Sequence, residues 1–225
     1  MNENIDSNQV ESIRRKLLEA ALSHVPFDGW SRASLRKAAA DIGAGEGEAG
    51  LAYPGGAQDL VGYFITDADA KMVETLGKLD MSEMRVRDRI RAAVKARIEA
   101  VGEVREAERK AVVFVAMPLN AAFGLKFLAK TVDAMWRAVG DSSTDFAYYS
   151  KRAILAGVYS ATLLYWLSDE SEGFEGTWAF LDRRIDEVMR FEKTKARFRA
   201  RDEERPHLTD LLRRVRYPDQ LRMKP

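Results

Sequence analysis

The stretch Val10–Gly43, VESIRRKLLEAALSHVPFDGWSRASLRKAAADIG, decides the fold. Val10, Ile13, Leu17, Leu18 and Ala21 recur at the spacing that gathers side chains on one face of a helix, with Arg14, Arg15 and Lys16 interleaved. Pro26 and Gly29 then punctuate the chain. Ser31 or Ser34 can accept a hydrogen bond from the free amides that open a second, short helix through Ile42, and Gly43 can take the left-handed turn that closes it. Seven of the 15 glycines fall between Gly43 and Gly62, a set of turns around one further short helix at about Glu46 to Ala52. Residues 1–56 are therefore expected to form a three-helix subdomain of the helix-turn-helix type.

Outward from this stretch, proline placement sets the remaining architecture. A proline inside a helix removes a hydrogen bond and clashes with the preceding turn, and none occurs from Leu119 through Arg205. Apolar periodicity predicts helices at about Gln58 to Leu79, Arg85 to Ala100, Glu103 to Ala116, Asn120 to Val139, Asp145 to Leu167 and Phe174 to Arg199. AVVFVAM, from Ala111, has β-forming residues, but strong helix formers on both sides favour helix. The expectation is an all-α protein, with residues 57–200 as a helical ligand-binding bundle and residues 201–225 as a separate basic amphipathic helix.

Composition narrows function by exclusion. The 225 residues include no Cys and only His24 and His207, which removes thiolate chemistry, Cys-based metal sites and most imidazole machinery. No cofactor and no metal are expected, and an enzyme lacks a convergent acid, base or nucleophile. Gly45, Gly47 and Gly50 match the G-x-G-x-x-G spacing, yet the fingerprint needs a preceding strand, and Glu46 and Glu48 would repel a pyrophosphate. Glu204 and His207 form a single Glu-x-x-His interrupted by Pro206, where a di-metal centre needs two such motifs.

Charge is balanced, at a formal +1, but unevenly spread. Between Lys37 and Lys71 there is no Lys or Arg against the six acids Asp41, Glu46, Glu48, Asp59, Asp67 and Asp69. A recognition helix needs cations for phosphates and base edges, so the helix-turn-helix is expected to bind no nucleic acid. A transcription regulator with a hydrophobic effector is the alternative. The opening MNENIDSNQV has neither the basic n-region nor the apolar h-region of a signal peptide, and the longest uncharged run, Ala153 to Ser168, falls short of the roughly 20 residues that span a bilayer. A cytoplasmic protein is expected.

Three segments are candidate sites. Phe114, Met117, Phe123, Leu128, Met135, Leu155, Tyr159 and Leu163 are large apolar residues that can pack as core or line a cavity for a greasy ligand, and Met117–Pro118 marks a break where a bundle can open. In STDFAYYSKR, the residues Asp145, Phe146, Tyr148, Tyr149 and Arg152 span almost two turns, so some must face outward as interface anchors or lie as an aromatic flank. Beyond Pro206, Leu208, Leu211, Leu212 and Val215 form an apolar stripe beside Arg213 and Arg214; it can dock on protein or attach to anionic lipid.

Four strings carry more than periodicity: HVPFDGW (His24 to Trp30), YPGGAQDLVGYF (Tyr53 to Phe64), VDAMWRAVGDSSTDFAYYSKRAILAGVYSATLLYWLSDES (Val132 to Ser171) and TWAFLDRRIDEVM (Thr177 to Met189). With them the chain resembles the coenzyme Q biosynthesis accessory protein family, the ninth in the usual naming series, over about His24 to Met189. The resemblance implies a TetR-repressor-like fold that has lost DNA binding. It also implies a non-catalytic homodimer that holds an isoprenoid quinone intermediate or phospholipid and assists the di-iron quinone hydroxylase acting on demethoxyubiquinone. The family's partner-docking surface falls on Tyr148, Tyr149 and Arg152, the first of which is Trp in animal members. Its C-terminal amphipathic helix at the membrane corresponds in character to the segment from Pro206, which implies peripheral association with the inner membrane.

Overall fold

The computed structural model describes residues 7–141 and 146–203, and every described element is helical. The helices are α1 (Ser7–Asp28), α2 (Arg32–Asp41), α3 (Glu46–Ala52), α4 (Ala57–Gly77), α5 (Val86–Glu99), α6 (Arg105–Ala116), α7 (Ala121–Ala138), α8 (Phe146–Trp166) and α9 (Glu175–Glu203). Single 3₁₀ turns precede α6, α7 and α9. The segment AVVFVAM is helical, as its flanks imply. The chain divides into two compact units, Met1–Asp182 and Arg183–Pro225, and the site described below lies wholly in the first.

The N-terminal turns follow the sequence closely. Ser31 is the N-cap of α2: its hydroxyl accepts the Ser34 amide at 3.2 Å, and the Ser34 hydroxyl accepts the Ser31 amide at 3.1 Å. This reciprocal pair satisfies two of the amides a helix start leaves unbonded. Gly43 closes α2 at φ +67°, a conformation that a Cβ penalises. One detail differs from expectation. Pro26 does not end α1, which continues two residues further to Asp28 before Gly29 turns at φ +65°. Only one backbone bond is lost by a proline in a last turn, so the helix tolerates it.

Tyrosine, arginine and tryptophan side chains then tie these helices together and to the bundle. Arg14 Nε donates to the Ala52 carbonyl at 2.7 Å, and the Tyr53 hydroxyl donates to the Arg14 carbonyl at 2.7 Å. Trp30, buried in the tight turn after α1, packs on Phe64 of α4 and donates its indole N–H to the Ala107 carbonyl of α6 at 3.0 Å. At the far end, Asp169 accepts the amide and hydroxyl of both Ser171 and Thr177, at 2.6–2.9 Å. The Thr177 and Ser171 hydrogen bonds hold its carboxyl well below the usual carboxylate range, and they fix the start of α9.

Two close approaches shape the bundle. A Cβ on Gly62 would lie 2.7 Å from the Phe127 ring, so any side chain there would require that ring to move. A Cβ on Gly124 would lie 2.9 Å from the Val115 side chain and 3.1 Å from its carbonyl, so α7 folds back against the end of α6. The break between these helices is the one marked by Met117–Pro118. Met117 is extended (ψ 137°), as the residue before a proline prefers, and the two arms are bent by 87°. Asn120 locks the bend, donating to the Phe114 carbonyl at 2.9 Å and accepting from Gln58 of α4 at 2.9 Å.

Candidate functional site

Behind this bend lies a cavity of about 420 Å³, bounded by Ile65 of α4, Arg97 of α5 and residues of α6, α7 and α8. That volume is in the range of small-molecule sites. Its walls are almost entirely aliphatic and aromatic: Val112, Val115, Leu125, Phe127, Leu128, Leu163 and Leu164 contribute most of the large side chains. Its floor is buried, at Arg97, Glu108, Ala111, Thr131 and Tyr159, whereas Ala116, Ala121, Leu125 and Leu164 along its rim are exposed. The cavity therefore opens to the surface at the α6–α7 bend.

Charged chemistry is confined to the floor. Arg97, 1% exposed, donates from Nε to Asp69 Oδ1 at 2.8 Å, and the Thr131 hydroxyl donates to Asp69 Oδ2 at 2.9 Å. Glu108 lies 4.0 Å from the other side of the guanidinium, and the Tyr159 ring lies 6.0 Å from its centre. Burial raises the Glu108 and Asp69 carboxyls above their ordinary values; Arg97 offsets this only in part. Burial also raises the Tyr159 hydroxyl, which stays protonated. Two atoms of the cluster, Arg97 Nη1 and Glu108 Oε2, are buried without a hydrogen-bond partner. Such atoms each cost roughly 1–3 kcal/mol, so a hydrogen-bonding group delivered into the cavity would be stabilised there.

Of the expected lining residues, the structure brings Leu128, Tyr159 and Leu163 together on the cavity and leaves the others elsewhere. Met135 and Leu155 are core, at 0% and 2% exposure. Phe114 and Phe123 meet edge to face at 6.4 Å outside the wall, and Met117 is exposed on the bend. Arg97, Glu108 and Asp69 were not expected at all. The signal was present, because Ile90, Val94, Arg97 and Val101 form one i, i+4, i+7, i+11 row in which the arginine stands at a core position.

The second candidate surface lies where α8 crosses the C-terminal part of α7. The Arg152 guanidinium sits 3.4 Å above the Tyr148 ring and donates to Asp133 at 2.8 Å, with Asp141 at 3.5 Å. The Tyr148 hydroxyl donates to the same Asp133 at 3.1 Å, while Arg137 pairs with its other oxygen. Tyr149 packs edge-on against Tyr148 at 5.1 Å and is 72% exposed. The outward-facing member is thus Tyr149; Arg152 and Tyr148 form the half-buried base that orients it. Asp145 and the Phe146 side chain lie outside the described residues, as do Leu208, Leu211, Leu212, Arg213, Arg214 and Val215.

In the N-terminal subdomain, the helix in the reading position is α3, with Glu46 and Glu48 in its first turn and no basic residue. Glu48 caps its own helix, accepting the Gly45 amide at 2.8 Å. The G-x-G-x-x-G glycines therefore belong to a helix start whose anion seat is occupied by a carboxylate.

A helix-turn-helix subdomain joined to a helical bundle with an apolar cavity is the TetR-like arrangement. The fold matches that of a TetR transcriptional regulator from Nitrosomonas europaea at a TM-score of 0.64, over 78% of this chain and 97% of that one, although only 17% of residues are identical. Sequence comparison is more specific. The COQ9 family model matches residues 121–192, which includes α7, α8 and the Tyr148–Arg152 surface. The mitochondrial ubiquinone biosynthesis protein COQ9 of Rattus norvegicus is 33% identical over 88% of this chain and 65% of its own length. COQ9-B of Xenopus laevis is 36% identical over 83% of this chain and 66% of its own, and the human protein 30% identical over 88% and 64%. The chain belongs to the COQ9 family and spans about two thirds of the length of these curated relatives.

Proposed function

We propose that the protein is a non-catalytic accessory component of ubiquinone biosynthesis that binds an isoprenoid quinone intermediate, or a phospholipid in its place, and presents it to a di-iron quinone hydroxylase. The observation that carries this reading is the cavity of about 420 Å³: an apolar wall, an exposed rim and two unpartnered polar atoms on its floor. Such a site suits an amphiphile whose small polar head reaches Arg97 and Glu108 while its tail lies along Leu128 and Leu163. Isoprenoid area leaves a bilayer only if replaced by comparable apolar contact, at roughly 25 cal/mol per Å².

Tyr149, oriented by Tyr148 and Arg152, is the anchor offered to the hydroxylase. The acidic first turn of α3 leaves no role in duplex DNA, a homodimer is the assembled form, and attachment to the inner membrane is peripheral. Organic extraction of the purified protein followed by mass spectrometry tests the central claim. A bound isoprenoid or phospholipid is expected, and Ala121→Trp at the rim should lower the amount carried with the helical signal unchanged. Protein with no extractable lipid, or an amount indifferent to Ala121→Trp, would overturn the reading.

A further inference from the structure

The α6–α7 bend has a composition that neither the cavity nor the bundle requires. From Ala111 to Leu125 there is no charged residue, and the apex, Ala116, Met117, Pro118, Leu119, Ala121 and Ala122, is exposed almost without interruption. Leu119 is 92% exposed, Leu125 68%, Val113 60% and Met117 44%. Singly exposed leucines are ordinary, but a contiguous apolar projection marks a surface that something covers. The bend is not loose: Asn120 and Gly124 hold it rigidly against α4 and α6.

Charge identifies the occupant. Lys110 and Lys126 bracket the apolar stretch, Lys130 follows one turn later over the Phe127 ring, and no acidic residue occurs between Glu108 and Asp133. An apolar apex with a collar of lysines and no acids is complementary to the acyl–headgroup boundary of an anionic bilayer, where long lysine side chains keep their ammonium groups among the phosphates. No single helix among the described residues is long and apolar enough to cross a membrane, and the 87° bend turns the two apolar arms into a wedge rather than a span. The cavity rim is built from the same residues: Ala116, Ala121 and Leu125 line the mouth and belong to the wedge.

We infer that the α6–α7 bend, centred on Leu119, is a bilayer-inserting wedge for anionic lipid, so that the mouth of the cavity opens directly into the acyl layer. The insertion stands on the exposed surface alone; only the passage of a ligand through the mouth rests on the lipid-binding reading above. The wedge is a contact separate from the segment beyond Pro206.

The chain has no cysteine, so Leu119→Cys gives a single attachment site for an environment-sensitive fluorophore. Phe27→Cys, 87% exposed at the end of α1, gives the control. With full-length protein and vesicles of phosphatidylcholine and phosphatidylglycerol, the label at 119 is expected to shift to the blue and to be shielded from an aqueous quencher, with the label at 27 unchanged. The Leu119→Glu, Met117→Glu double variant, at exposed positions that do not line the cavity, should lower vesicle co-sedimentation by roughly tenfold or more with its melting temperature retained. Co-sedimentation without a shift at 119 would overturn the wedge. So would a shift that follows protein concentration in the absence of vesicles, because the surface would then be covered by a second copy. Extractable lipid is read separately, so loss of the wedge and loss of the lipid-binding reading give different results.

Discussion

Arg97 and Arg152 are built to the same plan and put to opposite ends. Each is an arginine between two acids with a tyrosine ring at hand: Asp69, Glu108 and Tyr159 for the first, Asp133, Asp141 and Tyr148 for the second. Arg97 is sealed in the bundle at 1% exposure and leaves Nη1 and Glu108 Oε2 unbonded. Arg152 keeps contact with solvent, and its ring and both carboxylates hold a neighbouring tyrosine outward. The difference teaches that a charge cluster is defined by what surrounds it. In low dielectric, an unmade hydrogen bond is a standing demand for a ligand; at the surface, the same groups serve to orient.

Removing the buried arginine has the largest expected effect. Arg97→Met strands Asp69 and Glu108 without a counter-charge and should cost about 3–5 kcal/mol in urea unfolding. The triple change Arg97→Met, Asp69→Leu, Glu108→Leu should recover most of that loss, because the uncompensated charge goes with it. If Arg97→Met costs no more than a surface change, the cluster is solvated and the contrast fails.

At the other cluster, Tyr149→Ala should weaken binding to the proposed hydroxylase partner by about 2 kcal/mol, as truncation of an interface anchor commonly does. Its stability should move by no more than about 0.5 kcal/mol. Arg152→Ala should lower stability by about 1 kcal/mol and binding by more, since it releases the Tyr148 ring that supports Tyr149. Calorimetric titration and thermal melts on the same variants separate the two effects, and equal losses would make this surface ordinary packing.

The smallest effect is in the pH profile. Glu108 has a raised pKa in the folded state, so the native protein binds the extra proton in the window above the unfolded value of about 4.3. Stability should therefore decline as pH rises from there through the folded pKa, and Glu108→Gln should flatten that decline. Asp169 works in the reverse direction. Its carboxyl is held low by the Thr177 and Ser171 hydrogen bonds, so its contribution is complete at neutral pH and is lost only as acid is added. Denaturant midpoints from about pH 2 to pH 8 check both signs.

The sequence was legible where a residue type acts locally. Ser31, Gly29 and Gly43 set helix ends through their own backbone and hydroxyl groups, and Met117–Pro118 set the bend. It was less legible where position around a helix decides. Phe114, Met135 and Leu155 have the composition of a cavity wall but point into other packing, and apolarity alone does not say toward which neighbour a helix is rotated. Charged floor residues were hidden by the habit of assigning charge to solvent. Arg97 and Glu108 stand in apolar rows, and that misplacement was their signature.

Trp30 ties the N-terminal helices to α6 through a hydrogen bond to the carbonyl of Ala107, whose next residue is Glu108 on the cavity floor. A shift of α6 on filling of the cavity would reach that indole through this bond. In a protein whose α3 read a target, this would be a transmission. Here α3 starts on a turn capped by its own Glu48 and carries no basic residue, so under the proposed function the link has no target to move. What remains is a gauge: the emission of a single buried indole, against the other tryptophans replaced by phenylalanine, would register cavity occupancy from outside the cavity.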